Sequence, residues 1–439
     1  MQMIFDLVVI GAGPAAVSAL AGIPTRMKIA IATGEKAANA KLSSNIHPKI
    51  RTVALEKGEQ PGIARLLPFK ESSNGALFDT AVQGGLARYW GQQVIHYECC
   101  DPWPKEFFAS YDEYLQACSQ IEKFFLCLPD IDCRKSQSLS SGYEAYLPRL
   151  LLGTKRDPEA GLLSMGLVFQ QLAEKHNATL YRDSVSQLKL HNRYISVLLS
   201  DGTVLTARRV ILAAGVVGSL RIVMESNPEI RSIRLSDHAP YMYYFVDRAG
   251  LVKHAQLNSL QHFNCLSIER IECQQVRLFA SLYRMSRATV ALTLAALGFP
   301  PILLHTRPPK IVDLIIPIQV WTNKSKMQYQ IDRNDSFTTL ISRPDFESDK
   351  ELYCFSDWLK SKGIIICKSN TIPGYGFHYH AGEISLDGEN FSELSSFISE
   401  KYRNKIICTD ASIMRKIGIR PHTLTAMAIS YKITCLQIS

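Results

Sequence analysis

Three histidines near the C-terminal end of the chain are the side chains best suited to chemistry. His378 and His380 lie in the run GYGFHYHAGEISLDG of residues 374–388, and His422 lies in RPHTLTAMA. A neutral imidazole carries one donor and one acceptor and titrates near neutral pH, so it can take a proton from a hydroxyl or orient it. Either site alone is better explained by a histidine in an exposed turn, so the surrounding elements must decide.

The N-terminal residues 5–34 predict a dinucleotide-binding unit. An apolar strand runs into a Gly-x-Gly-x-x-Ala turn, and a helix of small residues and a second apolar strand at 28–32 follow. The first glycine permits a tight turn, the second lets the backbone approach a pyrophosphate, and the alanine allows close helix–strand packing. The helix N-terminus favours the phosphate charge. The residues expected to line the phosphate are Gly11, Gly13, Pro14, Ala15 and Ala16.

The carboxylate that usually grips the ribose hydroxyls, about 20 positions after the turn, is missing from its expected place. Residues 32–34 read Ala-Thr-Gly, and the first carboxylate after them is Glu35. Either Glu35 or the hydroxyl of Thr33 takes this role, or the adenosine end is held more weakly.

Two further runs of small residues indicate close approach of a ligand to the backbone. Gly84 and Gly85, in QGGLARYWG, are not explained by strand propensity, and Trp90 adds a flat apolar surface beside them. A buried strand in ARRVILAAGVVGS ends at Ala214-Gly215 before a helix, where small residues would let a nucleotide pass closely. The alternative for this second run is a tight strand–helix junction.

The order of the motifs resembles the glucose-methanol-choline (GMC) oxidoreductases. The motifs GAGPAA, GGLARYWG, ILAAGVVGS, HYHAG and CTDASIM…RPHTLTAMA span essentially the whole chain. The resemblance implies an α/β fold that binds FAD. We expect a discontinuous Rossmann-like FAD-binding domain and a mixed-sheet α+β substrate-binding domain. The expected limits are 1–100, 160–235 and 400–439 for the first, and 101–159 and 236–399 for the second.

The resemblance also implies roles for particular residues. In that family a histidine late in the substrate domain and a His or Asn before the last helix face the flavin and the substrate. By position His380, with His378 as its close competitor, and His422 match these two. Asp410 and Ala411 match the loop where the family's carboxylate meets the flavin ribityl chain. Tyr89 stands where some members attach flavin covalently through a histidine, so we expect non-covalent FAD.

The last predicted helix begins around Thr423, which we expect to cap it. Its N-terminal amides, with His422 just before them, would face an electron-rich cofactor carbonyl.

The reaction implied is oxidation of a CH–OH group of a sugar-like or natural-product alcohol. One imidazole would act as base, the other would orient the oxygen, and hydride would pass to the flavin. Two alternatives remain open. A lyase-type enzyme could use the same histidines on a flavin scaffold without redox chemistry. The missing ribose carboxylate and the altered HAGEI motif would also suit a degenerate, non-catalytic partner protein.

Composition and charge limit the fold and the classes of function that the sequence allows. A chain of 439 residues, 46% hydrophobic and 20% charged, suits two joined domains. The net charge of +9 is spread without basic runs, which argues against nucleic-acid binding and leaves a small-molecule substrate. Eleven scattered cysteines, with no CxxC and no zinc-ligand spacing, favour a reducing cytoplasm and no metal site.

Two expectations concern the intervening region. Residues 288–304 read ATVALTLAALGFPPILL, without charge, which predicts a buried helix followed by a turn. The alternative is an apolar patch that docks on a membrane or admits a lipid-linked substrate. Residues 311–321 and 327–331 alternate in polarity, so we expect them to form adjacent antiparallel strands.

Overall fold

A computed structural model describes most of the chain. The described residues are 3–34, 64–67, 77–80, 83–89, 93–123, 126–127, 137–146, 151–152, 165–246, 264–283, 315–333, 338–342, 344–371, 379–386, 390–391 and 394–438. The predicted site residues Glu35, Trp90 and His378 lie outside the described residues, as does the apolar run 288–304. Within the described ranges, every helix is too short or too polar to cross a membrane.

Strands and helices are numbered here in chain order. The strands are β1 Ile4–Ile10, β2 Ile29–Ala32, β3 Ala64–Leu67, β4 Leu77–Thr80, β5 Leu126–Cys127, β6 Gln137–Ser138, β7 Tyr143–Tyr146, β8 Leu151–Leu152, β9 Thr179–Tyr181, β10 Val185–Leu190, β11 Ile195–Leu199, β12 Val204–Leu212, β13 Ile230–His238, β14 Tyr241–Val246, β15 Asn264–Glu272, β16 Gln275–Tyr283, β17 Ile315–Thr322, β18 Lys326–Asp332, β19 Thr338–Ser342, β20 Ile365–Thr371, β21 His380–Leu386, β22 Asn390–Phe391 and β23 Ile406–Cys408. The helices are α1 Pro14–Gly22, α2 Tyr111–Glu122, α3 Met165–Lys175, α4 Val216–Ser226, α5 Lys350–Ser361, α6 Leu394–Tyr402 and α7 Thr423–Ile438.

The first sheet has the order β10-β11-β12-β1-β2-β9, and β23 also pairs with β12. Strands β9, β2, β1, β12 and β23 are mutually parallel, whereas β10, β11 and β12 form an antiparallel meander. Strand β2 reads Ile-Ala-Ile-Ala and β1 ends in Leu-Val-Val-Ile, all of them buried, as expected for parallel strands that are covered on both faces of the sheet. This arrangement is Rossmann-like and confirms the predicted α/β class. Its strands come from residues 4–32, 179–212 and 406–408, and the predicted domain limits stay a prediction.

Two larger antiparallel sheets accompany it. One has the order β19-β18-β13-β21-β22, and the other has the order β20-β14-β17-β16-β15-β7-β6. Every described pairing in both sheets is antiparallel.

The expectation that residues 311–321 and 327–331 form adjacent antiparallel strands is wrong. These strands are consecutive but belong to different sheets: β17 pairs with β14 and β16, and β18 pairs with β13 and β19. The segments β13–β14 and β17–β18 are two long strands that run side by side and bend together from one sheet into the other. A bend of this kind forms a corner between sheets. Ser325 stabilises it, because its carbonyl accepts from the Ala239 amide at 2.9 Å.

Candidate active site

The first glycine of the N-terminal turn is required by packing. Gly11 has a φ of +120°, and a Cβ placed there would lie 2.1 Å from the carbonyl oxygen of Ala213. The turn therefore lies directly on the end of β12, and its amide is fixed by the Ala32 carbonyl at 2.9 Å. Position 11 must be glycine for the fold alone, whether or not a ligand binds.

Gly13 behaves differently. It is the N-cap residue of α1 with an ordinary φ of −88°, and among the described residues a Cβ there would meet as its nearest neighbour the Gly85 Cα, at 3.8 Å. The fold therefore has room for a side chain at position 13. Glycine is explained there only by something else that approaches the helix N-terminus.

The second glycine motif packs on the first. The Gly84 amide donates to the Ala12 carbonyl at 2.7 Å. A Cβ on Gly85, whose φ is +58°, would lie 3.1 Å from the Gly13 Cα. Two motifs about seventy positions apart thus form one small-residue surface beside the first turn of α1.

A polar cluster lies where β12 and β23 end, at the edge of the sheet that also carries the glycine turn. Asp410 is buried and accepts from the Ser412 amide at 3.0 Å, from both seryl hydroxyls of Ser412 and Ser219, and from the backbone of Gly215. Burial raises the pKa of this carboxyl, and the hydrogen bonds oppose that rise. The carboxylate caps the 3-10 turn Ala411–Ile413 and ties it to α4.

Small-residue space remains beside that cluster. Gly215 has a φ of +76°, and a Cβ there would meet no described atom within 4 Å. Thr33, the alternative to Glu35 for holding the ribose, donates its hydroxyl to the Tyr181 carbonyl at 3.5 Å.

His422 rather than Thr423 occupies the cap position of α7. The Ala426 amide donates to the His422 carbonyl at 2.9 Å, which is the first hydrogen bond of that helix. The expectation that Thr423 caps the helix is therefore wrong by one residue. The helix begins at Thr423, one position earlier than a threonine cap requires, and the buried imidazole lies at its N-terminus.

A β-bulge directs His380. In the pairing of β21 with β13, Gly382 lies opposite Leu235 and His380 lies opposite Ser236, so Ala381 is an extra residue. Without it, alternation would place His380 on the face of Gly382, whose Cα packs so tightly that an added Cβ would lie 2.9 Å from Leu220. The bulge moves the imidazole to the face of Ser236, as bulges beside functional sites commonly do.

The structure brings His380 and His422 close enough to interact electrostatically, and it adds a third imidazole that the sequence analysis missed. The pKa of His422 is lowered to about 3, first by burial and then by repulsion from His380 and His238. His238 ends β13 at the corner between the sheets, where its Nε2 lies 3.0 Å from the Thr322 carbonyl. Burial lowers its pKa to about 4. No motif marks His238, and only the pairing of β13 with β21 reveals it.

These depressed pKa values predict acid sensitivity. An unfolded histidine titrates near pH 6.5, whereas His422 and His238 stay neutral in the fold until about pH 3 and 4. The unfolded chain therefore takes up the extra protons, and stability should fall as the pH drops from about 6.5 toward 4. Each group contributes up to about 1.4 kcal/mol per pH unit in that window. Urea unfolding of the purified protein at several pH values measures the slope.

His238→Gln provides the control, because its amide can still donate to Thr322. The variant should lose about one proton's share of the slope. An unchanged slope would contradict the pKa assigned to His238.

A buried ion cluster lies two residues before His422. Arg420 is 4% exposed and binds Glu269 of β15 and Asp101 of the 93–110 segment. Burial raises the pKa of Asp101, and Arg420 offsets only part of that rise. The sequence does not reveal this cluster, because its three members are far apart in the chain. Arg420 opens the RPHTLTAMA motif, but nothing in the sequence pairs it with Glu269 or Asp101.

Comparison with known proteins gives a fold. No protein-family model and no curated protein sequence matches the chain. A pyridoxine 4-oxidase from Mesorbium loti matches with a TM-score of 0.53 at 12% identity over 98% of both chains. A formate oxidase matches with a TM-score of 0.57 at 12% identity over 99% of this chain and 98% of that one. A variant of the Aspergillus oryzae RIB40 formate oxidase, solved to show the effect of a mutation on FAD modification, matches with a TM-score of 0.57 at 11% identity over 99% of this chain and 98% of that one. At these identities the likeness shows a shared fold.

Proposed function

We propose that this chain is an FAD-dependent oxidoreductase of the GMC type that oxidises the hydroxyl of a small neutral alcohol. The observation that carries the proposal is the approach of His380 to His422. His380 lies on β21, where the bulge sets the direction of its side chain, and His422 is the cap residue of α7. The fold is shared with oxidases of an alcohol, pyridoxine, and of formate.

The described residues fit an FAD. The missing side chain of Gly13 leaves a space at the N-terminus of α1, and Gly85 packs beside Gly13. The amides of the first turn of α1, which have no partner within the helix, point toward this space. The residues that would hold the dinucleotide are Gly11, Gly13, Pro14, Ala15, Ala16, Gly84, Gly85, Ala214 and Gly215. We further propose that Asp410 and Ala411 shape the loop toward the isoalloxazine end, with His422 and Thr423 at the start of α7. FAD when bound supplies a two-electron acceptor for the hydride of the alcohol.

The two imidazoles divide the work. Burial, and then the charge that His380 gains on protonation, lower the pKa of His422, so we assign the proton released by the hydroxyl to His380, which is neutral before the reaction. His380 then takes the hydroxyl proton as general base. His422 stays neutral at the positive end of α7 and orients the hydroxyl oxygen by a hydrogen bond.

The charge around His422 favours a neutral substrate. Arg420 is a buried cation two residues before it in the chain, and its donors are already used by Glu269 and Asp101. A substrate carboxylate would meet no unpaired cation among the described residues of this cluster, whose net charge is negative. A hydroxyl compound such as pyridoxine therefore suits the site better than an anion such as formate.

The test begins with the visible spectrum of the purified protein, which should be that of a flavoprotein. Anaerobic mixing with pyridoxine, benzyl alcohol and D-glucose should bleach the flavin with at least one of these alcohols, and formate should not. A colourless protein that FAD cannot reconstitute would contradict the proposal that FAD is the cofactor. Bleaching by formate alone would reverse the substrate class, and a yellow protein that no alcohol reduces would favour non-redox chemistry.

A further inference from the structure

We propose that Arg420 is a positioning residue. Its ion pairs with Glu269 and Asp101 hold the loop 414–422 against β15 and so place His422 opposite His380. The catalytic role of His422 rests on the proposed function, whereas the positioning of His422 by the Arg420 ion pairs does not.

The contacts of Arg420 fix its orientation. Its Nε and Nη2 donate to the two carboxylate oxygens of Glu269 at 2.8 and 2.6 Å, and its Nη1 donates to Oδ2 of Asp101 at 2.5 Å. The side chains of Arg420, Asp101 and Glu269 are 3%, 2% and 4% exposed. A planar guanidinium bound on two edges can take one orientation, which a lysine at the same place could not reproduce.

The carboxylates are themselves anchored. Tyr146 lies on β7, which pairs with β15, and its hydroxyl donates to the Glu269 carboxylate. The Glu98 amide donates to Asp101 at 2.9 Å. Arg420 is therefore tied to two carboxylates that each have a further hydrogen-bond partner of their own.

A second attachment holds the loop two residues earlier. The Gly418 amide donates to the Tyr97 hydroxyl at 2.8 Å, and the ring of His238 bonds to the Gly418 backbone from the sheet corner. A Cβ at Gly418 would lie 3.3 Å from both Tyr97 and Pro102, so the backbone packs closely there. The residues just before His422 are thus held by directional polar bonds in addition to the buried side chains of Met414, Ile417 and Ile419.

Energetics favours placement over stability as the role of the cluster. Removing charges from water costs about as much as their pairing returns, and apolar replacement of a buried ion pair is often neutral or stabilising. What apolar side chains cannot supply is the fixed direction of the fork. We therefore expect replacement of the pair to preserve folding and to release His422.

The test compares two double variants. Arg420→Met with Glu269→Met removes the tether without changing net charge, and Asp101, whose pKa is raised by burial, can take up a proton once its cation is gone. Arg270→Met with Glu351→Met removes a 2.6 Å ion pair from the adjacent position of β15 and serves as the matched control. Arg420→Lys keeps the charge and loses the fork. The readout is NMR titration of the ring of His422 in protein labelled on histidine, together with the midpoint of thermal unfolding.

In the wild type and in the Arg270/Glu351 control, His422 should stay neutral down to the acid limit of the fold. In the Arg420/Glu269 variant the protein should remain folded, and the apparent pKa of His422 should rise by at least about one unit toward the ordinary 6.5 as the ring gains water. Arg420→Lys should move it in the same direction.

A His422 titration that is unchanged in both Arg420 variants would overturn the positioning role. So would an equal rise in the control. The NMR readout needs neither flavin nor substrate, so failure of the proposed function, seen as a lack of bleaching, is distinguishable from failure of this inference.

Discussion

Replacing His380 by alanine is expected to slow reduction of the bound flavin by an alcohol about 10²–10⁴-fold, the usual contribution of a general base. The variant should keep its flavin, because His380 lies on β21, away from the glycine turn. His422→Ala should also slow reduction, through loss of orientation. Anaerobic stopped-flow mixing, with the alcohol that bleaches the wild type, measures both rates.

Chemical rescue separates the two roles. Added imidazole should restore part of the rate in His380→Ala, because a free base can enter the space and accept the proton. It should do little for His422→Ala, because a mobile imidazole does not orient the hydroxyl. A wild-type rate in either variant would refute the histidine pair.

Gly13→Ala is expected to lose FAD while the protein stays folded. The fold has room for the methyl group, since φ is −88° and the nearest atom is 3.8 Å away, so the free energy of unfolding of the apoprotein should change by about 1 kcal/mol or less. A pyrophosphate that approaches the backbone would collide with the methyl group. Overpacking costs about 1–3 kcal/mol, which corresponds to a loss of affinity of about 5- to 150-fold.

Gly11→Ala is the matched variant with the opposite expectation. Its Cβ would lie 2.1 Å from the Ala213 oxygen at a φ of +120°, so the apoprotein should lose about 3 kcal/mol or more. Urea unfolding and flavin absorbance per protein measure the two effects. Full flavin content in Gly13→Ala would show that the space at position 13 is not used by a pyrophosphate.

The local motifs could be read without a structure because their constraints are local. An apolar run followed by Gly11-x-Gly13 specifies strand, turn and helix within about twenty residues, and β1 and α1 confirm it. The strand before Asp410 and the helix after His422 are equally local. The cap was misplaced by one residue, because Thr423 is a good cap by type and only the helix hydrogen bonds identify His422.

The sequence by itself determined the α/β class, the glycine turns and the candidate histidines, since residue type and short-range periodicity encode them. Only tertiary structure decided that Ala381 bulges, that His238 joins the other imidazoles, and that β17 and β18 part into separate sheets. These depend on which distant strands pair and on a one-residue register. The Arg420 cluster belongs with them, because a buried charge is tolerated only when folding brings its partners from elsewhere in the chain.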